Sequence, residues 1–525
     1  MANEASLSCK NGNDMNLPLT SSREERSSLN FDSKKVRFAP NKAMRNPLDN
    51  QGNNIKATIS VKTVSLNPNI LDAVFTHLHL RDLKTSRLVC HDWNDVGVTL
   101  LGKRAYLHAN KLFTLTATKL FGVHVTPVNS QLFRHLRISD NFNLSIWSNK
   151  MKTGIITQVL TEVPEVVQLT REIKFDVTHK EFVPPFLQGI RMLRSTKIRH
   201  VDISTHVQSF RDYIIPAETY QKLPPQPSLT SVKFKTLSDS QSGRKLEFQP
   251  LIKVWLDAAP NLTTLDIAAS FYPNLEGCTN LKVLRFEFLD WADIKLDKVT
   301  KMLGQIQTVD EVPVMSQLTS LSIHSLHAYG ILGFFDEDHF PKLKTLSLHH
   351  ASGEGTLTSH LNLWRRHEGV QSLGLTVDFL SSKNGEEEDF GEEIVEMFPS
   401  VKELDLTMKH ISLSFIPAIN RIMESFKTWD LERVNVAVTL GRQISVLIEV
   451  LKTMSILQGV KSFQLLDITS SRVHFSPYIE DIILHSRGFK SFEISGYEPP
   501  EVVERMRSIF QASRAPVQFR VGRHT

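Results

Sequence analysis

The sequence predicts an α/β protein in which a short helical module precedes a long array of strand-and-helix units, behind a polar N-terminal tail. Three observations carry that reading. The pattern apolar-x-x-apolar-x-apolar returns thirteen times between residues 133 and 494. Several stretches between the copies carry apolar residues at helical spacing. The 525 residues are too many for one ordinary core, a ceiling that a repeat array does not have.

Residues 1–62 are rich in Ser, Asn, Lys and Arg, poor in aromatics and without periodicity, so a disordered tail is expected. The segment "DSKKVRFAPN" stands out, with Val36 and Phe38 alternating behind Lys34 and Lys35. Short basic-Val-x-Phe segments resemble the motif that type-one phosphatase catalytic subunits accept as an added strand. A solvated tail is the other reading.

Residues 63–110 read as compact and helical. Asn67 is a good N-cap, and Pro68 suits the first helical position, where its missing N–H costs nothing. Ile70, Leu71, Val74, Phe75 and Leu78 then form one wide apolar face. Asp82 can cap a second helix, along which Leu83, Cys90 and Trp93 recur beside Leu88, Val89 and Val96. On that helix Cys90 is expected to be a buried, inert thiol, with His91 turned to water. Neighbouring helical residues cannot converge on one substrate atom, which argues against a nucleophile-base pair.

Residues 111–515 hold the array. Its clear copies are "IRHVDI" (198), "LTSVKF" (229), "LTTLDI" (262), "LKVLRF" (281), "LTSLSI" (318), "LKTLSL" (343), "VQSLGL" (370), "VKELDL" (401), "LERVNV" (431), "VKSFQL" (460) and "FKSFEI" (489). Fainter ones are "FRHLRI" (133) and "TREIKF" (170). Helical patterns lie in "FQPLIKVWLDAAP", "FIPAINRIMESFKTW", "QISVLIEVLKTMSILQG" and "SPYIEDIILHSRG". One strand and one helix per unit of around thirty residues is the arrangement of a leucine-rich-repeat solenoid, with parallel strands on the concave face and helices on the convex one. A single unit leaves both of its apolar faces wet, and only stacking covers them.

Strand alternation turns the residues between the apolar positions to the concave side. Asp202, Lys233, Lys235, Asp266, Arg285, Glu287, His324, His349, Asp405 and Glu493 are expected there, a mixed-sign surface suited to a protein partner. The asparagine that many leucine-rich repeats place after the last strand leucine is missing: Ser270, Leu326 and Ala351 stand there, so the units are irregular. "SSKNGEEEDFGEE" (381–393) reads as an acidic, solvated loop inserted between two units.

Bulk properties exclude several classes. A net charge of +5 over this length, with both signs mixed, is no nucleic-acid footprint. Cys9, Cys90 and Cys278 lie far apart, which excludes a disulfide scaffold or a Cys-based zinc module and suits a reducing compartment. No apolar run is long enough for a membrane span, and "MANEASLSCKNGNDMNL" has no secretory apolar core, so a soluble protein of cytoplasm or nucleus is expected.

The stretch "SLNPNILDAVFTHLHLRDLKTSRLVCHDWNDVG" resembles an F-box, through Leu66 and Pro68, Ile70-Leu71, Phe75, Leu78, Asp82-Leu83, Val89-Cys90 and Trp93. The resemblance implies a three-helix module that docks on the SKP-family adaptor of cullin-RING ubiquitin ligases. Leu66, Pro68, Ile70, Leu71, Leu78, Leu83, Val89, Cys90 and Trp93 are then the adaptor-binding residues. An F-box followed by leucine-rich repeats looks like the substrate receptor of an SCF-type ligase, with no catalytic residue, metal or cofactor of its own. The residues point the same way, since about forty residues are at the lower limit of what folds alone. The alternative is a leucine-rich-repeat scaffold acting without ubiquitin transfer, docking a phosphatase through Val36 and Phe38.

Overall fold

The computed structural model describes residues 67–115, 123–125, 128–139, 149–161, 163–193, 197–205, 214–236, 248–269, 271, 273–288, 314–324, 336–349, 364–379, 390–440, 444–466, 478–495, 500–512 and 517–522. All belong to one compact unit, Ser60–Thr525. Leu66, the tail with Val36 and Phe38, and the positions Ser270, Leu326 and Ala351 lie outside the described residues.

The chain enters through three helices, α1 (Pro68–Thr76), α2 (Leu80–Ser86) and α3 (His91–Arg104). Asn67 caps α1 as its side chain dictates, its Oδ1 accepting the Asn69 N–H at 3.0 Å, and Pro68 takes the first turn. The wide apolar face of α1 is divided. Leu71 and Phe75 are buried, while Ile70 and Val74 are 40 % and 52 % exposed. Two expectations fail at α2. His79, not Asp82, stands at its N-cap, and Asp82 lies in the first turn, where its charge favours the helix N-terminus. Nor does one helix carry Leu83, Cys90 and Trp93. After Ser86 the chain turns, the N–H groups of Leu88 and Val89 bonding back to the carbonyls of Thr85 and Ser86. Cys90 is then extended at φ −160°, caps α3 and is exposed rather than buried.

Fifteen strands make one sheet: β1 (Leu107–His108), β4 (His135–Ser139), β5 (Glu172–Val177), β6 (His200–Thr205), β7 (Ser231–Thr236), β8 (Thr264–Ala269), β9 (Val283–Phe288), β10 (Ser320–His324), β11 (Thr345–His349), β12 (Ser372–Asp378), β13 (Glu403–Ile411), β14 (Arg433–Leu440), β15 (Val460–Leu466), β16 (Phe489–Ser495) and β17 (Gln518–Gly522). Short β2 (Phe113–Leu115) and β3 (Val123–Val125) pair antiparallel by themselves. Within the large sheet every strand is parallel to the next one in sequence.

The thirteen sequence copies are β4 to β16. Their second apolar positions stand in register from Leu136 through Ile173, Val201, Val232, Leu265, Leu284, Leu321, Leu346, Leu373 and Leu404 to Val434. None of these eleven is more than 3 % exposed. Between β14 and β15 the frame slips by two residues, so that Val436 faces Phe463. An even slip keeps the apolar face inward, because side chains alternate with a period of two. It also places Lys461 opposite Val434 on the apolar side, where burial pushes its ammonium below the usual lysine range.

The paired strands begin at Leu107 and end at Gly522, outside the 111–515 span read from sequence. Arg104 and Pro516 occupy the first apolar position of these two end copies, which hides them. Nor does every unit have its own helix. Between β8 and β9 there are only nineteen residues from one copy to the next, and the described ones form turns.

Helices cover the leucine side: α4 (Asn149–Thr161), α5 (Pro164–Leu169), α6 (Val183–Met192), α7 (Gln249–Ala258), α8 (Gly391–Met397), α9 (Ile416–Phe426), α10 (Ile444–Met454), α11 (Ile479–Ser486) and α12 (Pro500–Ala512). In α9 the residues Ile416, Ile419, Ile422, Met423 and Phe426 fall on one buried face. The acidic stretch 381–393 is not a loop to its end. Phe390 is buried at 1 %, and Glu392 and Glu393 form the first turn of α8. One apolar core runs from Ala109 to Val517, and a second, of Leu71, Phe75, Leu83, Leu100 and Leu101, belongs to the helical module. Among the described residues no helix is long and apolar enough to cross a membrane.

Through α3 the module abuts the short helical turn Ser130–Arg134 that leads into β4. A Cβ on Gly102 would lie 2.0 Å from the Gln131 carbonyl oxygen, so only glycine permits this approach. Gly102→Ala is expected to cost about 1–3 kcal/mol by overpacking. Gly154→Ala, at an exposed position of α4 with nothing within 4 Å, should stabilise by up to about 1 kcal/mol. Chemical denaturation of both variants checks this, and equal midpoints would contradict the close contact.

Candidate functional site

The polar side of the sheet is the first candidate. All ten positions expected on it alternate with buried strand residues and therefore share the face away from the helices. Asp202, Lys233, Asp266 and Arg285 are adjacent rungs of one row. Lys235, Glu287, His324 and His349 belong to the next row, in which Ala268 separates Lys235 from Glu287. Asp405 and Glu493 lie apart from these, held by Asn435 at 2.6 Å and Gln464 at 3.2 Å.

Opposite charges answer each other along the row from Lys174 onward, while Arg137 reaches diagonally to Asp176 in the next row. Lys174 bonds Asp202 at 3.0 Å, Lys233 bonds Asp266 at 3.2 Å, and Arg137 bonds Asp176 at 2.5 Å. Such partly exposed pairs contribute about 0–1 kcal/mol each, and the carboxylates of Asp176 and Asp202 offset the two cations, Arg137 and Lys174, that face one another in register. Arg137, Lys174 and Asp176 were not among the expected positions, although they occupy the same places in the two faint copies. Asp202 departs from its expected role. It is only 8 % exposed, so it supports the ladder from within and offers little to a partner. Its second oxygen, Oδ1, has no hydrogen-bond partner among the described residues.

At the first strands a polar knot ties the module to the sheet. Tyr106, two residues after α3, donates its hydroxyl to Glu172. His135 and His200 flank the same carboxylate at 3.6 and 3.8 Å. Burial, reinforced by the bond to Glu172 and its charge, pushes the Tyr106 phenol well above its usual range and keeps it a donor.

Near the middle of the sheet the imidazoles of His324 and His349 stack with centroids 3.7 Å apart and planes within 13°. The Thr376 hydroxyl meets His349 Nδ1 at 2.9 Å. Burial pushes both rings down, His349 to about 4, where the His324 and Lys409 charges act in the same direction. At neutral pH they are uncharged hydrogen-bonding planes. Beside them the row between Arg285 and Asp405 reads Ser322, Ser347, Gly374, a floor of small side chains. Among the described residues no group of three or more His, Cys, Asp or Glu could hold a metal ion. Burial raises the Cys278 thiol to about 11, which leaves it unreactive.

The second candidate is the outer side of the helical module. Pro68 and Cys90 are exposed, Ile70 is 40 % exposed and Val89 63 %. Val74, Leu80 and Leu88 join them at 52 %, 38 % and 85 %. Four expected adaptor contacts are placed otherwise. Leu71 and Leu83 are buried in the module, and Leu78 and Trp93 pack against that core, Trp93 edge-on to Phe75 with centroids 5.2 Å apart. These four shape the surface from beneath. Leu88, which helical periodicity set beside the interior positions, is on the outside because the chain turns at 87–90, and Leu80, passed over in the sequence reading, is exposed at the start of α2.

The histidine pair makes a pH prediction. Both rings bind a proton less readily when folded than at the ordinary 6.5, so acid favours the unfolded chain. Their contribution is complete above pH 6.5 and is lost as pH falls toward about 4. The His324→Gln, His349→Gln double variant should show a flatter fall of Tm over that window, and a profile superimposable on the parent would count against the buried, neutral stack. No protein-family model matches this chain, and no curated protein does.

Proposed function

We propose that the chain is the substrate-recognition subunit of an SCF-type cullin-RING ubiquitin ligase. In this reading α1 to α3 are an F-box that binds the SKP-family adaptor, and through it the cullin. The parallel strands and their helices are an irregular leucine-rich-repeat solenoid whose polar strand face holds a target protein. Ubiquitin passes between other subunits, so this chain acts by position alone, in cytoplasm or nucleus, without nucleic acid or membrane.

The single observation that carries the reading is the apolar outside of the module. A soluble surface seldom places Ile70, Val74, Leu80, Leu88 and Val89 in one small bundle with large exposed fractions. Covering a side chain of this kind contributes about 1.5–3 kcal/mol, so a few of them suffice for a specific contact. The polar strand face supports the second half. It has mixed charge, uncharged imidazoles and small-residue floors, which suit a polypeptide better than a polyanion or a lipid surface.

Leu88→Asp with Val89→Asp should weaken binding to purified SKP-family adaptor at least about tenfold while leaving the far-UV spectrum and Tm unchanged, because neither residue is in the core. Leu83→Asp, by contrast, should unfold the module. Undiminished adaptor binding by the folded double variant, or none by the parent protein, would sink the reading.

A further inference from the structure

On the helix side a groove of about 600 Å³ opens between α8 and α9, lined among others by Glu392, Val395, Glu396, Arg421, Glu424 and Ser425. The helices touch at its end, where a Cβ on Gly391 would come within 2.9 Å of both Ile422 Cα and Ser425 Oγ. Alongside that contact three carboxylates, Glu392, Glu396 and Glu424, outnumber the guanidinium of Arg421 in the described lining. Glu392 and Glu396 stand four residues apart on one helix, a spacing at which like charges repel. Glu396 lies in the last turn of α8, the end at which a carboxylate opposes the helix dipole. Neither carboxylate has an ion pair among the described residues, and Glu424 across the groove is answered only by its own neighbour Lys427 at 3.6 Å. Half-buried Val395 supplies an apolar surface between these charges.

From this charge complementarity we infer that the groove is a docking site for a short basic segment of a partner protein, in which Arg or Lys alternates with apolar residues. The cations reach Glu392, Glu396 and Glu424, and an apolar residue packs on Val395. A volume of about 600 Å³ is in the range of groove sites that take several side chains. The site is independent of the receptor reading, since it lies on α8 and α9 and uses neither the helical module nor the polar strand face.

The test uses the full chain and a fluorescein-labelled heptapeptide of alternating Arg and Leu, read by anisotropy. The peptide should bind, and raising salt from about 50 to about 300 mM should weaken it several-fold. Glu392→Lys with Glu396→Lys should weaken it at least about tenfold, and Glu392→Gln with Glu396→Gln by an intermediate factor. Glu218→Lys with Glu276→Lys, the same change in net charge on exposed residues elsewhere, should leave binding within about twofold. A Gln-for-Arg peptide should not bind, and Leu88→Asp with Val89→Asp should have no effect. Equal weakening by both lysine pairs would reduce the effect to bulk charge and overturn the site, as would no binding at all. A self-associating parent protein that the groove variant makes monomeric would overturn it in favour of a second copy of this chain.

Discussion

The structure depends on one constraint: a parallel strand satisfies its backbone only through the strands on either side, and its apolar face only through the units that stack on it. Leu136 and its ten register partners are nearly inaccessible because each is covered by the next. No single unit of this chain supplies that cover from its own residues. The cooperative element is therefore the contact between neighbours, and the variable element is whatever connects one strand to the next. That is why a unit of nineteen residues with turns alone and units with full helices can share one sheet.

This division explains what could be read from the amino-acid order. The thirteen copies were legible because alternation on a strand whose inner face is buried leaves little freedom of residue type. The end strands were not, since Arg104 and Pro516 break the pattern where only one neighbour is present to enforce it. The slip at β14 and β15 was invisible for another reason: an even shift leaves the in-and-out pattern unchanged, and only backbone pairing reveals it. Helices α7, α9, α10 and α11 were recognisable from their apolar stripes, whereas α5 and α8 are too short for periodicity to develop.

At the candidate surfaces the outcome was similar. Alternation placed the ten polar positions on the correct face, but which of them remain accessible is decided by neighbours outside the repeat. Asp202 is covered and Arg285 is not. In the module, the break at residues 87–90 turned one expected helix into two and moved Cys90 from interior to exterior. No apolar count could have found it, because Leu88, Val89 and Cys90 are themselves apolar. What stops the helix is a pair of backbone bonds, from Leu88 to Thr85 and from Val89 to Ser86.

The glycine contact between α3 and Gln131 has a mechanical consequence. The Gly102 backbone lies against the Gln131 carbonyl, and Tyr106 is bonded to Glu172 a few residues later, so the three short helices are joined to the first strands by one steric and one polar contact of different chemistry. A substitution that loosens one leaves the other in place, and the hinge between the two parts opens only when both are lost.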